Sequence, residues 1–301
     1  MSGIDEIAAE LRALRALLER VEAAQEGLRS RLDLSLSRMV VPLAADLLAM
    51  RTPYGYVLVP PEDRALAVHH AEGTLPEPGT MAVLSRLISP GQSFVDVGAN
   101  VGLYTLFGAR LVGPSGHVIA LEPVPRLARL LRQTVAMNGL SAWVDVHQAA
   151  AAEVSGARTL HVAFPYGHSS LYPLPHEHEQ TSVHGLALDD LLSTERAIHC
   201  LKIDVEGAEL DVLRGLQATL QRHDEIVVVL ELGPSHLERV GITAAAWFDE
   251  IAQNGFTPWR IRETDGGLQR LGFHDIPQIF STNVLLLRHS PEHYPQLSFD
   301  P

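Results

Sequence analysis

Two acidic residues stand near the ends of consecutive predicted strands, and glycines surround the first of them. Asp96 lies near the end of the apolar run at 93–97, and Gly98 and Gly102 flank the turn that follows. Glycine lets a backbone approach a ligand closely and adopt conformations that other residues avoid. Glu122 comes 20 residues after Gly102, at a strand end where a carboxylate can accept hydrogen bonds from both hydroxyls of a ribose. The spacing therefore predicts a nucleoside site.

The glycine turn departs from the pattern of dinucleotide-binding proteins. Those proteins carry G-x-G-x-x-G, which delivers a pyrophosphate to a helix N-terminus, whereas this chain has D-x-G-x-x-x-G with Asn100 inside the turn. A pyrophosphate gains nothing from the carboxylate of Asp96, but a ligand with an ammonium and a sulfonium does. The pattern favours S-adenosylmethionine over NAD. The structural alternative is a glycine-rich turn with an acid that only caps a helix.

A second group of acids follows two later predicted strands. Asp204 and Glu206 come after residues 200–203, and Glu231 comes after residues 226–230. If S-adenosylmethionine donates its methyl group to an alcohol, the reacting atoms must be aligned and the hydroxyl proton must be removed, by a general base or by a metal that acidifies the hydroxyl. We expect Asp204 to be this base or a ligand of a divalent cation such as Mg, with Glu231 as the second acid. Alternatively, Asp204 is a helix N-cap and Glu206 is a first-turn acid favoured by the helix dipole.

The basic residues have an uneven composition. Of the 23 basic residues 22 are arginine, and the single lysine, Lys202, lies two positions before Asp204. Lysine is a compact ammonium on a flexible stem, whereas arginine presents a broad planar fork. We expect a crowded strand end that accepts only a lysine, and we place Lys202 beside Asp204 among the catalytic residues, together with Glu206.

One segment is rich in histidine and is expected to be a loop above the site. It contains His168, His176, His178 and His184, together with two prolines. His168 is the first candidate for acid–base chemistry or substrate contact. Neutral imidazole is a good metal ligand, so a metal site at His176 and His178 is one alternative, and a solvated lid is the other.

These residues require a scaffold of alternating strands and helices. Apolar runs predict strands at 93–97, 118–121, 144–147, 200–203 and 226–230, and helical patterns fall at 103–111, 126–137, 207–220 and 244–254. The alternation predicts βαβ units, and therefore an α/β, doubly wound, Rossmann-like parallel sheet that binds ligands at the carboxyl ends of its strands. We expect this domain to span 93–301, after a connecting segment and cap at 41–92 that holds a strand at 54–59, a loop at 73–79 and a helix at 80–88.

The first 40 residues have a different pattern. Apolar residues recur at intervals of three and four, with Gln25 in the series: Ile4, Ile7, Leu11, Leu14, Leu18, Val21, Leu28 and Leu32. A period of 3.5 residues over about four heptads predicts an α-helical coiled-coil arm at 1–40, ended by Pro42, and a homo-oligomer. The alternative is an amphipathic helix that packs on the chain's own domain.

The composition excludes several classes of protein. The 301 residues carry a net charge of −13 and are 46% hydrophobic, which is ordinary for a globular chain. Without a cluster of Lys and Arg, a nucleic-acid partner is not expected. No apolar run approaches the roughly 20 residues that cross a bilayer. With one cysteine and no signal segment, a cytoplasmic location is expected.

The chain resembles the FkbM-type methyltransferases from about residue 54 to 288. The likeness rests on five segments: Phe94-Val-Asp-Val-Gly-Ala-Asn-Val-Gly-Leu-Tyr-Thr, Ala120-Leu-Glu-Pro, Gly167-His-Ser-Ser-Leu, Leu188-Asp-Asp-Leu-Leu and Leu201-Lys-Ile-Asp-Val-Glu-Gly-Ala-Glu-Leu-Asp-Val-Leu-Arg-Gly. The resemblance implies methyl transfer from S-adenosylmethionine to a hydroxyl of a sugar, glycan or natural-product scaffold. It assigns cofactor binding to Asp96, Gly98, Asn100, Gly102 and Glu122. Ala150 occupies the position at which such folds pass the adenine.

The resemblance leaves the acceptor undefined, because the arm lies outside it and the segment at 173–184 is unusually rich in histidine. Two other function classes remain open beside an O-methyltransferase. One is an oligomeric scaffold or binding protein in which the cofactor pocket is vestigial. The other is an NAD-dependent oxidoreductase.

Overall fold

The computed structural model describes residues 11, 14–27, 40–62, 76–163, 166–174, 179–192 and 197–300. Residues 14–27 form helix α1, and the side chains of Leu14, Leu18 and Val21 are 67%, 59% and 46% exposed. The rest of the predicted arm lies outside the described residues, so the coiled coil stays a prediction. Pro42 does not end the arm as predicted, because it lies inside strand β1, Val40–Ala44.

A small antiparallel sheet precedes the main domain. Strand β1 pairs with β2 (Leu47–Thr52), and β2 pairs with β3 (Gly55–Val59), the one strand of this sheet that the sequence predicted. Its backbone is tied to a helix of the main domain, because the N–H of Leu58 donates to Thr134 Oγ1 at 3.0 Å. Helix α2 (Pro78–Leu87) begins two residues before the predicted position.

The other strands and helices alternate over most of the chain. The strands are β4 (Ser93–Val97), β5 (His117–Leu121), β6 (Val144–His147), β7 (Ala150–Ala151), β8 (Gly156–Val162), β9 (Glu179–Leu186), β10 (Cys200–Ile203), β11 (Val227–Leu232), β12 (Thr257–Ile261), β13 (Leu268–Arg270) and β14 (Thr282–Leu287). The helices are α3 (Leu103–Val112), α4 (Pro125–Met137), α5 (Leu188–Leu191), α6 (Glu209–Arg214), α7 (Gln217–Arg222), α8 (Pro234–Val240) and α9 (Ala244–Gln253).

Eight strands form the central sheet in the order β13-β12-β14-β11-β10-β4-β5-β6. Strands β4, β5, β6, β10 and β11 are parallel, as predicted. The prediction of a parallel sheet is wrong for its other side, where β14 runs antiparallel to β11 and β12 antiparallel to β14. The short connection from β12 to β13 forms a hairpin, which only antiparallel strands can make. The α/β, Rossmann-like fold class is confirmed.

Both faces of the sheet are buried under helices. On β4, Phe94 packs in one hydrophobic cluster and its neighbour Val95 packs in the other, so alternate residues serve opposite faces. Trp247 and Trp259 are also buried. Strands buried on both faces hold the residues at their ends in fixed positions. Within the described residues, no helix combines the length and apolar character that crossing a membrane requires.

Two predicted segments differ from the structure. The single helix predicted at 207–220 is two short helices, α6 and α7, which are separated at Gly215. A Cβ at Gly215 would lie 2.2 Å from the carbonyl oxygen of Ala152, so the chain bends where it touches this neighbour. The loop predicted through 173–184 is wrong at its end, because β9 pairs antiparallel with β8 and carries an exposed His184. His176 and His178 lie outside the described residues.

Candidate active site

A cavity of about 340 Å³ lies at the carboxyl ends of β4, β5 and β10. Five of the six residues predicted to bind the cofactor line it, namely Asp96, Gly98, Asn100, Glu122 and Ala150. Gly102, the sixth, precedes α3 with a φ of 98°, and a Cβ there would lie 2.4 Å from Leu131 Cδ1. Gly102 therefore shapes the turn from behind the cavity wall.

The turn after β4 touches the turn after β10. Gly98 has a φ of 81°, and a Cβ at this position would lie 1.8 Å from the carbonyl oxygen of Asp204. The N–H of Asp204 also donates to the carbonyl of Val97 at 2.9 Å. Because glycine both adopts this conformation and leaves room for the second turn, the turn after β4 and Asp204 form one continuous wall of the cavity.

Asp96 is a buried carboxylate, 2% exposed. Thr105 Oγ1 donates a hydrogen bond to its Oδ2 at 2.6 Å. Burial raises the pKa of Asp96 to about 6, although the Thr105 hydroxyl and the charge of Lys202 lower it. A cationic ligand at this wall would stabilise the ionised carboxylate.

Glu122 is held by two backbone amides. The N–H groups of Asn100 and Val124 donate to its Oε2 and Oε1, each at 2.8 Å. Burial nevertheless raises its pKa to about 7. An ionised carboxylate has about four lone-pair sites, so two acceptor positions remain for ligand hydroxyls. Asn100 Oδ1, next to the same wall, is shielded from solvent and has no hydrogen-bond partner.

Lys202 is almost completely buried beside acidic residues. It is 1% exposed, and its Nζ donates to Asp204 Oδ2 at 3.1 Å and lies 5.2 Å from the ring centroid of Tyr104. Burial alone would lower the pKa of Lys202, but the adjacent Asp204 and the other acidic residues around it outweigh burial and raise the pKa. The ammonium is therefore charged and surrounded by carboxylates.

Asp204 and Glu231 form a hydrogen-bonded pair of acids. Burial and the adjacent Asp204 raise the pKa of Glu231 well above its usual range, which favours its protonated form. Asp204 lies against Lys202 and lines the cavity, where its carboxylate can accept a proton. The alternative in which Asp204 caps a helix is wrong, because α6 begins at Glu209 with Ala208 as its N-cap.

Glu206 lies behind the cavity wall and is held by cationic partners. Its Oε1 is 2.8 Å from His168 Nδ1, and its Oε2 is 3.2 Å from His236 Nε2 and 3.6 Å from Arg239 Nη1. Burial raises the pKa of Glu206, but hydrogen bonds from His168 and His236 outweigh it and hold the pKa at about 2. These contacts make Glu206 a permanent anion that anchors its neighbours.

His168 belongs to a segment, residues 166–171, that lines the cavity. The His168 side chain is 68% exposed, and its pKa is raised by the hydrogen bond to Glu206. Nearby, Ser170 Oγ donates to the carbonyl of Glu206 at 2.8 Å. The Gly167-His-Ser-Ser-Leu segment and the segment that contains Glu206 are therefore joined in space. His168 and Glu206, both predicted to be catalytic, lie near the site, but only His168 lines the cavity.

Sequence reasoning missed a residue that connects two cavities. Glu77, with a φ of 55°, accepts hydrogen bonds of 2.6 Å from Tyr104 Oη and Asn283 Nδ2. It lines the first cavity and a second one of about 430 Å³, which also exposes Arg260 and Gln269. Tyr104 belongs to the segment that begins at Phe94, so the family resemblance could have identified it. No sequence signal marks Glu77.

The sheet order, the glycine turn and the buried acids define a Rossmann-like protein with its ligand cavity at the strand ends. Residues 96–258 match the family model described as the methyltransferase FkbM domain. The chain belongs to the FkbM methyltransferase family.

Similar proteins cover part of the chain. It is 32% identical over 169 residues to Methyltransferase 1 of Beauveria bassiana, a match that covers 48% of this chain and 66% of that protein. It is 30% identical over 160 residues to the 31-O-demethyl-FK506 methyltransferase FkbM of Streptomyces tacrolimicus, covering 43% and 61%. The chain thus spans less than two thirds of each relative. A SAM-dependent O-methyltransferase structure from Thermotoga maritima matches with a TM-score of 0.42 and 12% identity, over 80% of this chain and 77% of that one.

Proposed function

We propose that this protein is an S-adenosylmethionine-dependent O-methyltransferase that acts on a hydroxyl of a sugar, glycan or natural-product scaffold. The observation that carries the proposal is the arrangement at the end of β10. Asp204 lies there between the ammonium of Lys202, 3.1 Å away, and the protonated acid Glu231, and it faces the cavity. A carboxylate in this position can serve as the general base that an alcohol acceptor requires.

We place the cofactor in the first cavity because the polar groups that line this cavity match those of S-adenosylmethionine. Glu122 offers two free acceptor positions, which match the two hydroxyls of a ribose. Asp96 offers a buried negative charge for the ammonium of the methionine moiety. Ala150, 4% exposed, leaves a flat apolar surface for the adenine. The match of residues 96–258 to a methyltransferase family model supports this cofactor over NAD.

In the proposed reaction, the acceptor oxygen attacks the methyl carbon in line with the carbon–sulfur bond. That bond breaks, its electron pair stays on sulfur as a neutral thioether, and the hydroxyl proton passes to Asp204. Lys202 keeps Asp204 oriented, and Glu231 donates a hydrogen bond to it. The site's main contribution is alignment of the reacting atoms.

We propose that Lys202 neutralises the negative charge of Asp204. A divalent cation, the alternative that the sequence also suggested, is not needed for this role. Asp204 Oδ2 already accepts from an ammonium. Glu206, Glu231 and His236 bring one ligand atom each within 4.8 Å of one another, but Arg239 lies 3.6 Å from Glu206. A cation placed there would be repelled by these fixed positive charges.

The second cavity is the proposed entrance for the acceptor. It meets the first cavity at Glu77 and has a polar lining that includes Arg260, Gln269 and Asn283. A hydroxyl-rich acceptor fits such a lining, because each polar group can be satisfied by a ligand hydroxyl. Arg262 also lines this cavity, and its guanidinium pairs with Asp265 and Asp300.

The test combines cofactor binding with methyl transfer. Wild-type protein, Asp204→Asn and a control, Asp145→Asn, are titrated with S-adenosylhomocysteine by calorimetry. Each is then incubated with methyl-labelled S-adenosylmethionine and a panel of hydroxylated sugars and alcohols. Asp145 is an exposed acid that pairs with His117. We expect equal binding by all three and a loss of transfer of about 100-fold or more in Asp204→Asn alone, because general-base catalysis contributes about that much.

Three outcomes would contradict the proposal. If S-adenosylhomocysteine gives no binding heat and NAD does, the oxidoreductase alternative is favoured. If Asp204→Asn transfers methyl at the wild-type rate, Asp204 is not the base. Binding without transfer to any acceptor of the panel would support the scaffold alternative with its vestigial pocket.

A further inference from the structure

A cluster of histidines and acids lies at the end of the sheet opposite the cavity. Asp224 and Glu225 precede β11, at the amino ends of the parallel strands, and His289 and His293 follow β14. The two pairs are thus brought together by the antiparallel pairing of β14 with β11. The cluster shares no residue with the proposed active site.

The side chains of this cluster converge on a small volume. His293 Nε2 lies 2.8 Å from Glu225 Oε2. His289 Nε2 lies 3.3 Å from Glu225 Oε1 and 3.6 Å from Asp224 Oδ2. The rings of the two histidines are 4.3 Å apart between centroids and inclined by 33°, so both present Nε2 to the same carboxylate.

One nitrogen of the cluster has no hydrogen bond. His289 Nε2 is shielded from solvent and makes no hydrogen bond, although two carboxylate oxygens lie within 3.6 Å. A buried nitrogen without a partner carries a desolvation cost. A cation coordinated between this nitrogen and the carboxylates would remove that cost.

We propose that His289, His293 and Glu225 bind a divalent transition metal, with zinc as the best match. Zinc accepts histidine nitrogens and carboxylate oxygens in a tetrahedron with metal–ligand distances of about 2.1 Å, which places neighbouring ligand atoms about 3.4 Å apart. The three residues bring one ligand atom each within 4.8 Å of one another, and His293 Nε2 and His289 Nε2 lie 2.8 and 3.3 Å from oxygens of Glu225. Mg²⁺ prefers oxygen ligands and octahedral geometry, so the two imidazoles select against it.

The metal has a structural role in this proposal. The segment after β14 contributes Tyr294 and Leu297, which are 5% and 8% exposed, to the core. Coordination by His289 and His293 would tie this segment to the turn before β11. Because the metal binds only the folded arrangement, it raises the stability of the protein by mass action.

The experiment uses untagged full-length protein stripped of metal by a chelator. Wild-type protein is titrated with zinc chloride, and separately with magnesium chloride, by calorimetry, and the thermal midpoint is measured with and without zinc. We expect one zinc site, no magnesium binding and a higher midpoint with zinc. His289→Ala and His293→Ala should each weaken zinc binding by more than about tenfold, while circular dichroism of the metal-free variants checks that they fold.

Two control variants make the result specific to this cluster. His117→Ala removes another histidine that pairs with one carboxylate, at 2.8 Å from Asp145, and should leave zinc binding unchanged. The double variant His176→Ala/His178→Ala removes the histidines of the other predicted metal site and should also leave it unchanged. Absence of zinc binding in wild-type protein, or its loss in the double variant with retention in His289→Ala, would overturn the proposal.

Discussion

Acidification should weaken cofactor binding through the two buried carboxylates of the cavity wall. In the free protein the pKa values of Asp96 and Glu122 are about 6 and about 7. At pH 5.5 about a quarter of Asp96 and about 3% of Glu122 are then ionised, against nearly all of both at pH 8. The ligand's ammonium and ribose hydroxyls favour the ionised forms, so binding expels the protons. Lowering the pH therefore opposes binding, by about 100-fold over this range if both carboxylates must be ionised.

The assay is a calorimetric titration with S-adenosylhomocysteine at several pH values between about 5.5 and 8. In Glu122→Gln the group with the higher pKa is gone, and only the roughly fourfold effect of Asp96 should remain. His168→Asn is the matched control, because His168 lines the same cavity and its pKa is raised by Glu206. The change of its affinity with pH should equal that of the wild type. The reasoning would be refuted if the affinity of the wild type did not change with pH, or if the affinity of Glu122→Gln changed with pH as much as that of the wild type.

Two further predictions concern the lysine and the arm. Lys202→Arg should lower the rate of methyl transfer by about tenfold or more while S-adenosylhomocysteine affinity is retained, because a guanidinium is too broad for a site that is 1% exposed. Wild-type kinetics would show that the compact ammonium is unimportant. We also propose that a second copy of the chain covers the exposed apolar residues of α1, so deletion of residues 1–38 should lower the mass in light scattering, and an unchanged mass would contradict this.

The sequence predicted the centre of the fold well because local composition determines it there. Strands β4, β5, β6 and β10 were placed to within one residue, since each is a short apolar run that is buried in the sheet. Once these strands were placed, the positions of Asp96, Glu122 and Asp204 at one edge followed from parallel topology. The glycine turn followed as well, because its glycines are required by local backbone conformation.

Contacts between distant segments could not be predicted in this way. Glu77 accepts from Asn283, 206 residues further along the chain, and neither has a spacing that marks it. Glu206 was predicted as a catalytic residue or as a first-turn acid of a helix, but His236 and Arg239 of α8 approach it from a later segment. The antiparallel strands β12 and β14 depend equally on pairing over long distances. The periodicity of apolar residues predicts which face of a strand or helix a residue occupies. It does not predict which residue of a distant segment will contact it.

The protonation states of the acidic residues and Lys202 in the proposed site suit a reaction in which the positive charge on the sulfonium disappears. In the proposed complex Asp96, Glu122 and Asp204 are carboxylates, Lys202 is an ammonium, and burial and the adjacent Asp204 favour the protonated form of Glu231. A cationic sulfonium is therefore attracted by a small net negative charge. If Glu231 were also ionised, the site would stabilise the charged reactant more than the transition state, in which the charge on sulfur is already reduced, and transfer would be slower. The neutral thioether product loses this attraction, which favours its exchange for a new cofactor.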